Sequence, residues 1–227
     1  MNKQHISETM PINALLAVSG GFMDAYSYIC RGEVFANAQT GNILLLGVNL
    51  AEKNWNTAFM YFMPIAGFCI GIIMAELMRQ RHSKDSKFLH WRQSVLLYEI
   101  FYLLPVCFLP QEYNLLANSL TSLVCGIQVQ SFRKLNGNNI ATTMCIGNLR
   151  SATENLCTYL HLHDKTYLKK AVLYYAVILY FVIGAIIGNF MIAYLNEHAI
   201  LFSVFILLLT FAALFFKHPN NNTHTSQ

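Results

Sequence analysis

Thr40-Gly41-Asn42-Ile43-Leu44-Leu45-Leu46-Gly47-Val48-Asn49-Leu50-Ala51 is apolar enough to enter lipid and too short to cross it. As a helix it spans about 18 Å, against a hydrocarbon core of about 30 Å. Gly147 to Leu160 is a second segment of this kind. Six longer apolar runs surround the pair: Ile12 to Ile29, Thr57 to Met78, Ser94 to Leu109, Leu115 to Gln130, Ala171 to Leu195 and Ala199 to Phe216. Whether the two short segments cross therefore decides between six spans and eight.

The distribution of cations answers this, because Lys and Arg in short loops stay cytoplasmic. With both short segments re-entrant or interfacial, thirteen of the fifteen Lys and Arg fall on one side. These are Lys3, Arg79, Arg81, Lys84, Lys87, Arg92, Arg133, Lys134, Arg150, Lys165, Lys169, Lys170 and Lys217, leaving only Arg31 and Lys53 opposite. If both segments crossed, the sides would carry eight and six with Arg150 buried, a nearly random split. The expected fold is thus all-α: a polytopic membrane helix bundle of six transmembrane helices plus two short helices, with both termini cytoplasmic.

Composition agrees. The 227 residues are 55% hydrophobic and 11% charged, about half the charge of a soluble domain. The 16 Phe and 12 Tyr offer too much apolar surface for a disordered chain. Six spans leave no room for a soluble catalytic domain. The expected organisation is a cytoplasmic N-terminus over 1–11, one transmembrane domain over 12–217 and a disordered cytoplasmic tail over 218–227. The net charge of +4 lies in the gaps between apolar runs and forms no nucleic-acid stripe. The six Cys contain no CxxC pair, so neither a disulfide framework nor a zinc site is read. Ala36-Asn37-Ala38 imitates a signal-peptidase site, but the run before it is long, contains Asp24 and has a weak basic flank, so no cleavage is expected.

An internal repeat organises the spans. An offset of 106 places Val18 on Val124, Gly20 on Gly126, Gly41 on Gly147, Asn42 on Asn148, Asn49 on Asn155 and Leu50 on Leu156. The span boundaries follow to within about ten residues. The halves, about 12–110 and 111–217, would each hold three spans and one short helix, and an odd number of crossings inverts one against the other. Inverted 3+3 repeats commonly build a midplane site from discontinuous helices. Duplication of a stable helical unit is the plainer alternative.

Gly20-Gly21-Phe22-Met23-Asp24-Ala25-Tyr26-Ser27-Tyr28 puts a carboxylate about 18 Å into the first span. An acid at that depth suggests ion coordination, proton transfer or a solute contact, in which Tyr28 could share; the plainer reading is an Asp bonded to Tyr that locks helices. Gly20 and Gly21 suit close helix packing. Val34 to Thr40 reads as an extended polar descent into a helix start, where Thr40 or Asn42 caps free N–H groups and the positive helix end favours an anion or polar solute. Ala141-Thr142-Thr143-Met144-Cys145-Ile146-Gly147-Asn148 repeats the arrangement, and Asn42 and Asn148 would face one another across a shared site. The candidate solute or ion pathway is Asp24, Tyr28, Thr40, Gly41, Asn42, Gln130, Gly147 and Asn148, with Gln130, beside Gln128, as the counterpart of Asp24.

Other polar residues are read as structural. Glu76 pairs with Arg79, and Arg150 with Glu154 at i+4. Glu99 is the weaker intramembrane candidate, since it can snorkel toward water. His161-Leu162-His163-Asp164 lacks the helical spacing of a zinc site and is read as a solvated loop. No GxSxG, P-loop or GxGxxG in a strand–helix setting occurs, so no catalytic residue, cofactor or metal is assigned.

The stretches Gly20 to Tyr28, Ala36 to Asn42 and Leu44 to Gly47 resemble the YoaK family of bacterial membrane proteins, the domain of unknown function numbered 1275. The resemblance covers most of the chain, and its specific signal is Gly-Gly-x-x-Asp-Ala followed about sixteen residues later by Thr-Gly-Asn. The second half departs from the pattern, with Cys145-Ile146-Gly147-Asn148 where the family usually keeps Thr-Gly. The resemblance implies a multi-pass protein of the bacterial inner membrane and supplies no activity. The expectation is a transporter or channel-like permease for a small polar or anionic solute, with Asp24 as a proton-coupling group. The alternative is a non-transporting scaffold or partner subunit; homo-oligomerisation is left open, and an intramembrane enzyme lacks an acid, base and nucleophile set.

Overall fold

The computed structural model describes residues 6–82 and 91–216. Lys3, Lys84, Lys87, Lys217 and the tail over 218–227 lie outside the described residues. Eight α-helices occur among those described: α1 Met10–Cys30, α2 Gln39–Ala51, α3 Trp55–His82, α4 Trp91–Leu103, α5 Asn114–Ser131, α6 Cys145–Leu162, α7 Lys165–Leu195 and α8 Leu201–Phe216. The six long apolar runs and both short segments are thus helical. Two helical stretches, Trp55–Arg81 and Lys165–Leu214, are long and apolar enough on their own to cross a bilayer.

Local chemistry fixes the ends. Pro11 sits in the first turn of α1, where its missing N–H costs nothing. Pro105 follows α4 and tightens the chain into a 3-10 turn, Leu104–Phe108. The Asp164 carboxylate caps α7 by accepting from the Thr166 amide at 2.8 Å. His161 and Leu162 finish α6 and His163 takes the left-handed cap position at φ 53°, so His161 to Asp164 is a helix end plus a two-residue turn. All four are exposed. Between α5 and α6 lies a two-residue antiparallel hairpin, β1 Lys134–Leu135 and β2 Asn138–Asn139, with Lys134 opposite Asn139. Asn136 and Gly137 supply its two positive φ angles.

The helices meet backbone to backbone. A Cβ on Gly21 of α1 would lie 1.9 Å from the Phe181 carbonyl of α7, and one on Gly184 would lie 2.0 Å from the Val18 carbonyl. Between α5 and α3, Gly126 approaches the Phe68 carbonyl at 2.1 Å and Gly71 the Leu123 carbonyl at 2.1 Å. Only glycine permits these approaches, and lipid supplies no hydrophobic force to replace such packing. The two contacts are alike: Val18 and Gly21 sit 105 residues before Leu123 and Gly126, while Phe68 and Gly71 sit 113 before Phe181 and Gly184. Each half thereby lends its first helix to the other's long helix. The identity match at 106 had set Gly20 on Gly126; packing sets Gly21 there, and Gly20 instead meets the Thr143 methyl, 3.0 Å from where a Cβ would stand. At this register Val129, and not Gln130, corresponds to Asp24.

The core joins Phe22, Met23 and Tyr26 of α1 to Leu96 and Leu103 of α4, Val124 and Ile127 of α5, and Leu207 of α8. Phe62, Ile73, Leu179, Phe190 and Phe205 stand exposed on the outside, a surface suited to lipid. Arg31, read from sequence as a loop cation, is fully buried. Its guanidinium donates to Tyr26 Oη at 2.9 Å, the Val106 carbonyl at 3.0 Å, Asn114 Oδ1 at 3.1 Å and the Pro110 carbonyl at 3.4 Å. It ties the end of α1 to the turn after α4 and the start of α5. Glu99 does not snorkel: it is fully buried in α4, and neither carboxylate oxygen has a hydrogen-bond partner among the described residues. The Glu76–Arg79 pair forms at 2.5 Å. Arg150 and Glu154 are both exposed and form no ion pair among the described residues, because each is already solvated on α6 and gains little from pairing.

Candidate functional site

The chain leaves α1 through Gly32 and Glu33, both at positive φ, and turns back along the helix it has just left. The returning strand is fastened to one face of α1. The Ala36 amide donates to Ser27 Oγ at 3.0 Å, the Asn37 amide to Asp24 Oδ1 at 2.7 Å, and Asn37 Nδ2 to the Gly20 carbonyl at 2.9 Å. The backbone amides of Ala38 and Ala36 also face the Asp24 carboxylate. Asp24 thus occupies the place, just ahead of α2, that the sequence reading left for an anion.

Asn42 does not cap α2, whose N-cap is Ala38 with no side-chain cap bond. It holds the incoming loop: the Phe35 amide donates to Asn42 Oδ1 at 3.1 Å, and Asn42 Nδ2 donates to the Phe35 carbonyl at 2.7 Å. Asn148 treats Ala141 the same way, accepting from its amide at 3.4 Å and donating to its carbonyl at 2.7 Å. Both asparagines are buried, and each is bonded to the loop that precedes its own helix. Short polar side chains favour such local backbone bonds over distant ones. Gly41 makes room for the Phe35 ring, 2.7 Å from where its Cβ would stand.

Two cavities flank the start of α6. The central one, about 620 Å³, is lined by Asn37-Ala38-Gln39-Thr40 at the start of α2 and Thr143-Met144-Cys145-Ile146 at the start of α6. These stretches correspond residue for residue at the offset of 106. Phe68 of α3 and Phe181 of α7, themselves counterparts, complete opposite walls, with Asp24 and Tyr28 from α1. The second cavity, about 870 Å³, is basic, with Arg79, Arg92, Arg133 and Lys134 against Glu8. Met144 and Ile146 line both.

The eight pathway candidates separate accordingly. Asp24, Tyr28 and Thr40 line the central cavity; Gln130, Gly147 and Asn148 line the basic one; Gly41 and Asn42 line neither. Gln130 donates to Glu76 Oε2 at 2.7 Å and so turns away from Asp24. Gln128 faces inward instead, donating to the Leu16 carbonyl at 3.0 Å and Thr142 Oγ1 at 3.2 Å. Sequence reasoning missed Asn37 and Thr143, both buried, whose Oδ1 and Oγ1 lack partners among the described residues. Their signal was available, since they occupy equivalent positions of the two loop motifs.

The family model described as protein of unknown function (DUF1275) matches residues 12–213. The UPF0700 transmembrane protein YoaK of Bacillus subtilis (strain 168) is 30% identical over 186 residues, covering 77% of this chain and 80% of that protein. No solved structure matches. A fold in which the glycine contacts and the asparagine-held loops each occur twice is therefore the fold of a membrane protein, and the chain belongs to the DUF1275 family, shared with YoaK.

Proposed function

We propose that the chain is a permease that moves a small polar solute through the central cavity, with Asp24 as its proton-coupling group. In this reading α1, α3, α4, α5, α7 and α8 span the bacterial inner membrane. The helices α2 and α6 are re-entrant, the halves are inverted 3+3, and both termini are cytoplasmic. The observation that carries the reading is the make-up of the cavity wall: four-residue stretches at corresponding positions of the two halves, meeting beside an acid in the first apolar helix. The basic cavity then opens to the cytoplasm, since its four cations belong to the side that holds thirteen of the fifteen. Met144 and Ile146 would form the partition between the two. An anionic solute fits the central cavity less well than the sequence reading expected, because the loop amides that would have received it already bind Asp24.

Reconstitution into proteoliposomes tests this, with uptake of labelled amines, amino acids and polyols measured under an imposed proton gradient. Uptake by the native protein and its loss in Asp24→Asn, with insertion and melting temperature retained, is the expected result. Equal uptake by Asp24→Asn would reject the role of Asp24. No uptake of any probe, together with a co-purifying membrane partner, would favour the scaffold reading.

A further inference from the structure

The central cavity carries an unbalanced charge. Asp24 is its one carboxylate, and no Lys, Arg or His lies on its wall among the described residues. The cations of the second cavity stand beyond Met144 and Ile146. Asp24 is part-buried, and a carboxylate in a mainly apolar wall is costly unless donors or a counter-charge compensate it; the loop amides supply only neutral donors. The rest of the wall is mainly apolar and aromatic. Tyr28 and Phe35 stack with ring centroids 4.9 Å apart, and Phe68 and Phe181 face in from the two long helices. Aromatic faces attract cations and repel anions. Asn37 and Thr143 also border the cavity, but their partnerless oxygens are shut off from it, so Asp24 is the charged group an occupant would meet.

A single carboxylate, aromatic walls and about 620 Å³ of space describe a site of particular chemistry. An inorganic ion would leave most of that volume unfilled, and an anion would meet a like charge with no counter-ion. We infer that the central cavity binds a small organic ammonium ion, its charged nitrogen at Asp24 and its apolar body between the aromatic side chains. The inference rests on reading this cavity as the solute site, and it names the class of that solute. The ammonium group donates to the Asp24 carboxylate.

Calorimetric titration of the purified protein in nanodiscs separates the terms, using benzylamine, benzyl alcohol, benzoate and sodium chloride as probes. Benzylamine should bind and the other three should not. Asp24→Asn, which keeps an acceptor for the Asn37 amide, should weaken benzylamine by about tenfold to a hundredfold, the range for a charge-assisted hydrogen bond. The proposal is overturned if benzyl alcohol binds as tightly as benzylamine, if Asp24→Asn leaves benzylamine binding unchanged, or if sodium binds through Asp24 and benzylamine does not. Amine binding without amine uptake would uphold the site and reject the permease. Uptake of a neutral solute without amine binding would do the reverse.

Discussion

Gly21→Ala and Gly126→Ala form a matched pair of perturbations. The new Cβ would stand 1.9 Å from the Phe181 carbonyl oxygen in one and 2.1 Å from the Phe68 carbonyl oxygen in the other, where ordinary contact begins near 3.4 Å. Neither obstacle is a side chain that can swing aside. Each pair of helices must separate by about 1.5 Å, which also strips the reciprocal contacts at Gly184 and Gly71. Overpacking of this kind costs about 1–3 kcal/mol, and a backbone obstacle places both variants in the upper half of that range. Because the two interfaces share no residue, the costs should be equal within about 1 kcal/mol and should add in the double variant. Gly47→Ala and Gly147→Ala serve as controls. Nothing lies within 4 Å of either Cβ, so relief of helix propensity should leave stability unchanged or higher by up to about 1 kcal/mol. Reversible unfolding in mixed detergent–SDS micelles, followed by circular dichroism, measures all five. A cost below about 0.5 kcal/mol for either glycine, or a large cost for one alone, would refute the claim that one contact is made twice.

Arg31→Met should destabilise by about 1–3 kcal/mol in the same assay, because it removes charge-assisted hydrogen bonds to Tyr26 Oη, the Val106 carbonyl and Asn114 Oδ1. Arg31→Lys should recover only part of this, since one ammonium cannot reproduce the planar fork; full recovery would show that charge alone matters. Glu99→Leu should stabilise by about 1–3 kcal/mol, by removing two buried oxygens without partners, and a destabilised variant would show that Glu99 is held by bonds of its own.

The helices were legible because apolar runs bounded by Pro, Gly and charge allow few alternatives, and the ends of each apolar run fell within six residues of a helix end. Register was harder. Gly20-Gly21 offers two equally good partners for Gly126, and only the approach to the Phe181 carbonyl distinguishes them. Arg31 was illegible for a different reason. Its four acceptors come from Tyr26 and from positions 75 to 83 residues away, and an arginine between apolar runs ordinarily reaches water. Asn42 and Asn148 were recognised as a pair, but a short amide can cap a helix, brace a loop or line a site with the same sequence signature. The loop role won because it satisfies both a donor and an acceptor of a backbone that has no neighbouring strand.

Where the halves agree they make architecture, and where they differ they make chemistry. Both entry loops are braced by an asparagine and both line the central cavity. The first loop is held by a carboxylate, and the second carries instead the contact of Thr142 with the neutral amide of Gln128. An ionised acceptor binds backbone N–H groups about twice as strongly as a neutral one. The hold on residues 36–38 therefore varies with the charge on Asp24, while the hold on Thr142 does not. In the permease proposed above, a proton on Asp24 would weaken the hold on the first loop and leave the Thr142 contact unchanged. The second half carries Val129 at the register position of Asp24, so in that proposal only the first loop would respond to a proton.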